Sequence, residues 1–375
     1  MKKIVNGIII PLILSALISC GDFMDTHKEY IEDGEIIYAP KVASVIFFAG
    51  MNRIECQYML YKSPNVRSVD LYWNEGMDSL IMPVTPTAGI DLFSVIIPNL
   101  EEKSYTFNAR TTDLHGHKSL YLTNFGTSYG EVYKSTLTGR RVNTVELIDK
   151  NDIGTGSISL FAASEDLVRT EIRYQKSDGS TDIVVAKQNE NTVFCPDALP
   201  GSTFEARSLY IPEPVAIDTF ATAWTTYGTA FATSYQYDRS DWEVLEVSDE
   251  TAGEGGSALI DGNLATYWSS QRTPVAPLPH WAIIDMKSPK NIVRFDIYRR
   301  SGNTDTRTVE CYLGDSPEET GSWILIGEGT FTTGGRLEIE STDKLTRGRY
   351  LKIKLPDSNR APYTNLAEVY PYGGL

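Results

Sequence analysis

Four cysteines and four histidines in 375 residues leave little material for a disulfide framework or a zinc site. Basic side chains are outnumbered as well: 34 Lys and Arg stand against 49 Asp and Glu, a formal charge of −15. A surface of that sign repels phosphate backbones, which argues against nucleic acid as a partner. Amphipathic helical patterns longer than about two turns are missing. The one sustained apolar run, Ile4–Ser19, is sixteen residues long. That is marginal for a bilayer span and ordinary for the core of a secretion signal.

The start of the chain reads as an export signal. Met1-Lys2-Lys3 supplies the positive segment, and the apolar core ends in Leu17-Ile18-Ser19-Cys20. This ending resembles a lipobox, in which an aliphatic residue and small residues precede the cysteine that is acylated and becomes the new N-terminus. The alternative is an ordinary signal peptide with a cysteine near its cleavage site. The lipobox implies a signal peptide over residues 1–19, acyl chains (palmitate) on Cys20, and attachment to a bacterial membrane through that lipid alone. Residues 20–38 are polar and acidic without a sustained period, as expected of a tether. Acidic residues soon after the cysteine resemble surface-export signals of Gram-negative lipoproteins, implying the outer membrane and the cell surface. Loss of Lys2 and Lys3 with the signal leaves 32 basic residues against 49 acidic, a charge of −17. The other cysteines, Cys56, Cys195 and Cys311, sit far apart in strand-like apolar runs and read as small core residues.

From Ala39 onward, short β-branched and aromatic runs alternate with Gly, Pro, Asn and Asp clusters, the pattern of an all-β chain of sandwiches. Part of the pattern is duplicated. Val66–Trp73 is echoed by Val168–Gln175, and Asp78–Val84 by Thr181–Ala186. Ile97-Pro98-Asn99-Leu100 through Arg110 is matched by Cys195-Pro196-Asp197-Ala198 through Arg207. The offset of about a hundred residues is the size of one sandwich domain. The last pair resembles the loop and strand of a fibronectin type III module, with Phe204 where that family usually has tyrosine. The resemblance implies two fibronectin-like modules, 39–137 and 138–233, similar to the N-terminal region of glycan-utilisation lipoproteins.

Beyond Tyr227 the repeat is lost. Ala258-Leu259-Ile260-Asp261-Gly262-Asn263-Leu264-Ala265-Thr266-Tyr267-Trp268-Ser269 resembles the D-G-x-x-x-T-x-W segment of discoidin (coagulation factor V/VIII type C) domains. Pro279-His280-Trp281 to Met286, Ile292 to Arg300, Arg349-Tyr350-Leu351-Lys352-Ile353 and Leu366-Ala367-Glu368-Val369-Tyr370 match later strands of that family in order. The resemblance implies a jelly-roll β-sandwich over 234–375, with Trp268 and Trp281 as packing residues.

Physically, Asp261-Gly262-Asn263 is a tight turn, and the loop to Thr266 can aim a carboxylate, carbonyls and a hydroxyl at one point. That donor set suits a hard cation. The family resemblance implies a structural calcium held by Asp261 and Thr266, by Ala258 and Asn263 mainly through their carbonyls, and by Glu368 from the last strand. The alternative is a loop held by hydrogen bonds alone. Carbohydrate-binding members of the family use a shallow site on the loop end, with a stacking aromatic and polar side chains. Carried over, Tyr363 supplies the ring, and Arg299 or Arg300 with Asn303 the hydrogen bonds. Galactose-binding members carry His after the Trp and an aromatic three residues later, whereas this sequence has Ser269 and Arg272. That points away from galactose and opens the site to a different or acidic glycan. The alternative is a spacer module with solvated loops.

Catalytic motifs are weak. Gly126-Thr127-Ser128-Tyr129-Gly130 fits G-x-S-x-G in letters, but the strand–turn–helix setting and a partner His are not indicated. His115-Gly116-His117 lies in a turn without an obvious third ligand, and Gly253-Glu254-Gly255-Gly256 lacks the Lys-Ser/Thr of a phosphate loop. Glu101-Glu102 and Glu318-Glu319 are neighbours whose side chains diverge, unlike the facing pair of a glycosidase. The expected protein is therefore not an enzyme. It is a lipid-anchored binder of extracellular glycan within a polysaccharide-utilisation system, with outer-membrane transport proteins as possible partners. The rival expectation is an adhesion or scaffold protein that binds another protein.

Overall fold

Alternating burial sets the first sandwich. In Ile54–Tyr61 the side chains of Ile54, Cys56, Tyr58 and Leu60 turn inward, while their neighbours face outward. The structure, a computed structural model, describes residues 37–374; Cys20, the signal segment and nearly all of the tether lie outside them. The fold is nearly all β, with 53% strand and 4% helix.

The first sandwich comprises β1 (Ser44–Ala49), β2 (Ile54–Tyr61), β3 (Val66–Trp73), β4 (Asp78–Pro83), β5 (Ile90–Ile97), β6 (Lys103–Asp113) and β7 (Leu122–Ser128). One sheet runs β1-β2-β5 and the other β4-β3-β6-β7, all antiparallel where paired. Ile54, Leu60, Val69, Leu71 and Phe107 form the centre of its core. Each such side chain contributes roughly 1.5–3 kcal/mol on burial.

The second sandwich repeats the arrangement with β8 (Val142–Lys150), β9 (Ile153–Leu160), β10 (Leu167–Gln175), β11 (Thr181–Lys187), β12 (Thr192–Pro196), β13 (Phe204–Tyr210), β14 (Phe220–Ala221) and β15 (Thr225–Tyr227). Its sheets are β8-β9-β12 and β11-β10-β13-β14, with β15 also on β13. First, second and fifth strands thus share a sheet in both copies. One difference follows from a single hydroxyl. Tyr105 donates from its hydroxyl to the Glu101 carbonyl, 3.1 Å away. Phe204, at the matching position, instead stacks on Tyr227 at 5.2 Å.

The C-terminal sandwich contains β16 (Ser234–Gln236), β17 (Glu243–Val247), β18 (Trp268–Ser269), β19 (His280–Asn291), β20 (Arg294–Tyr298), β21 (Thr308–Gly314), β22 (Ile324–Thr330), β23 (Arg336–Glu340), β24 (Arg347–Leu355), β25 (Asn365–Leu366) and β26 (Glu368–Gly374). A four-stranded sheet, β16-β26-β20-β23, faces a five-stranded one, β17-β19-β24-β21-β22. Trp268, Phe295, Ile297, Ile353 and Leu366 fill the core between them. Trp281 departs from the packing role expected of it. Ala282 and Ile284 point into the core, so strand alternation turns Trp281 to the outer face, where it is half-buried beside Lys352.

The described residues divide into two compact units, those up to Glu131 with Val215–Asp218, and Val132–Pro214 with those from Thr219 onward. The second and C-terminal sandwiches therefore share one unit. The reason lies in the residues that join them. Phe231 and Tyr235 lie directly on Gly156 and Gly154 of β9, where an added Cβ would come within 2.3 and 2.6 Å of the rings. Asp152 also pairs with Lys290, and the Asp149 carboxylate accepts the Asp238 N–H at 3.0 Å. Cys56, Cys195 and Cys311 are buried and free, one per sandwich, and burial pushes the first two thiols up to about 12.

Candidate functional site

Two short strands build the loop end of the C-terminal sandwich. β18 pairs with β25, Trp268 opposite Leu366 and Ser269 opposite Asn365. Trp268 anchors the pair from below: its indole is fully buried and donates to the Asp249 carbonyl at 2.9 Å. Ser270 and Thr364 extend the pairing, the Ser270 N–H donating to the Thr364 carbonyl and the Thr364 N–H to Ser270 Oγ, each at 3.1 Å. The Thr364 hydroxyl lies 2.8 Å from Nδ1 of the buried His280. These contacts draw together the loops that follow β18 and precede β25, and the loop after β20 joins them through the Thr306 hydroxyl, which donates to the Asn365 carbonyl at 2.6 Å.

Between the loops lies a cavity of about 260 Å³, lined chiefly by Arg272, Arg300, Asn303, Asp305, Arg360 and Tyr363. Four of the five candidate ligand-binding residues thus meet in one place. Arg299 does not join them. It is buried, donates to the Thr306 and Thr332 carbonyls at 3.3 and 3.1 Å, and covers the Phe331 ring. Adjacent side chains at a strand end point to opposite sides, so only Arg300 reaches the cavity.

Asp305 and Arg360 are site residues that the sequence reading missed. Arg360 donates to both Asp305 oxygens at 2.8 and 2.7 Å, and its guanidinium lies 4.7 Å from the Tyr363 ring centre. Those Arg360 hydrogen bonds, with help from Asn303 and the nearby Arg272, hold Asp305 below the ordinary carboxylate range despite burial. Arg360 stands three residues before Tyr363 in the same loop, and that proximity was the available signal. Arg272 is ion-paired with Glu254, and Arg300 lies over the Tyr267 ring at 4.2 Å.

The Asp261–Thr266 loop forms a second cluster. Ala258 is buried in the 3₁₀ turn Gly256–Ile260 directly before it. Gly262 has φ +77°, a backbone that other residues rarely adopt. Asp261 accepts from the Asn263 N–H at 2.8 Å and from the Thr266 hydroxyl at 2.6 Å, and that hydroxyl is 2.7 Å from the Asn263 carbonyl. Glu368, fully buried, accepts from the Gly262 and Asn263 N–H groups on one oxygen and from Arg239 at 2.6 Å on the other. Burial raises its pKa, opposed by Arg239 and reinforced by the Asp261 carboxylate. Two carboxylates, a hydroxyl and a carbonyl converge here, a donor set that fits a hard cation such as calcium.

Two further motifs lie apart from both clusters. β7 ends at Ser128 and a short helix (α1, Glu131–Thr136) follows, yet the Ser128 side chain is wholly buried. His117 lies 2.9 Å from Asp113 within its own hairpin. Among the described residues no helix is long and apolar enough to cross a membrane.

Fold and loops define a chain of β-sandwiches ending in an F5/8 type C domain, whose profile matches residues 244–369. The chain belongs to the family DUF4998, described as a domain of unknown function, whose profile matches residues 20–220. One family profile therefore reaches across both N-terminal sandwiches.

The C-terminal domain of a chitobiase from Bacteroides fragilis is similar at 26% identity and TM-score 0.32, over 37% of this chain and 97% of that one. The family 32 carbohydrate-binding module of Clostridium perfringens NanJ, in complex with galactose, is similar at 18% identity and TM-score 0.33, over 37% and 98%. The corresponding module of AlyQ, in complex with 4,5-unsaturated mannuronic acid, is similar at 24% identity and TM-score 0.29, over 36% and 96%. A search of curated proteins finds no match.

Proposed function

We propose that the protein captures an extracellular glycan non-covalently in the cavity between Arg300, Asn303 and Tyr363. The observation that carries this reading is the meeting of a half-buried aromatic ring with planar guanidinium and amide donors in one open cavity. A ring offers a stacking face for a pyranose, and fixed donors meet its hydroxyls. Binding rather than hydrolysis is favoured because, among the described residues, Asp305 is the single carboxylate lining the cavity, and Arg360 and Asn303 already hold it. Calcium in the Asp261, Asn263, Thr266 and Glu368 cluster would neutralise two adjoining carboxylates and stiffen the neighbouring loop. Acylated at Cys20, the protein would display the cavity at the outer-membrane surface and serve a polysaccharide-utilisation system with transport partners.

A site this shallow is expected to bind with Kd of order 10⁻⁴ to 10⁻³ M, about 4–5.5 kcal/mol. Isothermal titration across a glycan panel tests it, with Tyr363→Ala expected to remove roughly 1–3 kcal/mol. Equal binding by a folded Tyr363→Ala would move the site elsewhere.

A second reading has its own observation. The outer face of sheet β1-β2-β5 exposes Ile46, Tyr61, Ile90, Leu92 and Ile96 on adjoining strands. An apolar patch of that kind favours a protein partner, as in adhesion or scaffolding.

A further inference from the structure

We propose that the cavity selects a sugar carrying a carboxylate, a uronic acid, over its neutral counterpart; this rests on the glycan reading above. Three guanidinium groups and one carboxylate line the cavity, in a chain whose formal charge is −15. Two of the three cations are already matched. Arg360 forks onto Asp305 at 2.8 and 2.7 Å, and Arg272 pairs with Glu254. Arg300 has no ion pair to an acidic side chain among the described residues: its backbone N–H donates to Asn365 at 3.2 Å, and its guanidinium rests on the Tyr267 ring.

That ring is itself fixed, since the Tyr267 hydroxyl donates to Glu254 at 3.2 Å. A guanidinium lying on an aromatic face keeps its N–H groups directed outward in its own plane. In that plane it can hold a carboxylate through two parallel hydrogen bonds.

Asn303 completes the arrangement. Its carbonyl oxygen accepts from the Asp305 N–H and from Asn365 Nδ2, each at 2.7 Å, which fixes the orientation of the amide. One Nδ2 hydrogen goes to Asp305 at 3.0 Å, leaving the second as a donor. The cavity therefore presents donors and one unmatched positive charge beside a ring. Neutral sugars need acceptors as well as donors, and Arg360 and Asn303 already take three of the roughly four acceptor sites on Asp305. A carboxylate on the pyranose answers the surplus in both charge and hydrogen bonding.

Charge-assisted hydrogen bonds of this kind correspond to roughly 10- to 100-fold in affinity. The test titrates the full-length protein with oligomannuronate and oligogalacturonate, each against the neutral oligosaccharide of the parent hexose. At least about tenfold tighter binding of a uronate is expected, narrowing as salt is raised. Arg300→Gln should bring the ratio close to one, and Arg300→Lys, which keeps the charge and loses the fork, should retain part of it. Equal affinity for acidic and neutral forms, or a preference that survives Arg300→Gln, overturns this inference and leaves the glycan reading standing. If neither kind of sugar binds, the glycan reading falls and this inference with it. Should Arg300→Gln fail to fold, the wild-type ratio and its salt dependence decide.

Discussion

Chelation is expected to lower the melting temperature of the unit that holds the C-terminal sandwich. Glu368 is fully buried with Arg239 on one oxygen, while its other oxygen adjoins the Asp261 carboxylate across the Gly262 turn. Two negative charges are thus gathered around one buried cation. A bound calcium supplies the missing positive charge, and binding only the folded state stabilises it by about 2.7 kcal/mol at a hundredfold excess over Kd. For a unit of this size, each kcal/mol moves the midpoint by roughly 2–4 °C, so the shift should be about 5–10 °C.

Differential scanning calorimetry of the full chain in calcium and in chelator measures it. Asp261→Ala is the diagnostic variant, because Asp261 is exposed and its loss spares the Arg239–Glu368 pair. Glu368→Gln would not serve: leaving Arg239 buried without its partner costs about 3–5 kcal/mol in either buffer. Identical wild-type melts in calcium and chelator would refute the reasoning. So would an Asp261→Ala protein that keeps the full calcium-dependent shift.

Cys20→Ala should abolish acylation and release the protein from membranes; lipid mass spectrometry and fractionation check this, and a variant that stays with membranes defeats the anchor. Asp285, nearly buried, receives two hydrogen bonds from Arg349 at 2.9 Å, which bring its pKa down to about 2. Because the folded value lies below the unfolded one, this stabilisation is complete above about pH 4 and is lost as pH falls toward 2. Allowing for the exposure of Arg349, Asp285→Asn should cost about 1–2 kcal/mol at pH 7 and little near pH 2. Urea unfolding at the two pH values gives the comparison.

Strand period and turn chemistry were enough to read three sandwiches, because a half-buried strand must alternate and Ile54–Tyr61 does so visibly. The duplicated segments were legible for the same reason, and they return as matching strand orders in the two N-terminal sandwiches. The Asp261-Gly262-Asn263 turn could also be read locally, since φ +77° at Gly262 and the Asp261 bond to Asn263 involve neighbours in sequence.

What depended on distant segments was not legible. Whether Arg299 or Arg300 enters the cavity depends on the phase of β20 against its neighbours, and a one-residue difference reverses the answer. Arg360 and Asp305 stand 55 positions apart, and only the folding of two loops to one end joins them into a pair. The sharing of one unit by the second and C-terminal sandwiches likewise rests on Phe231 and Tyr235 packing on glycines of β9. Sequence alone determined local periodicity and turns, because backbone sterics and the burial of alternate side chains act between near neighbours. Tertiary structure decided which charges are matched and which are left over, because charge pairing depends on distance in space.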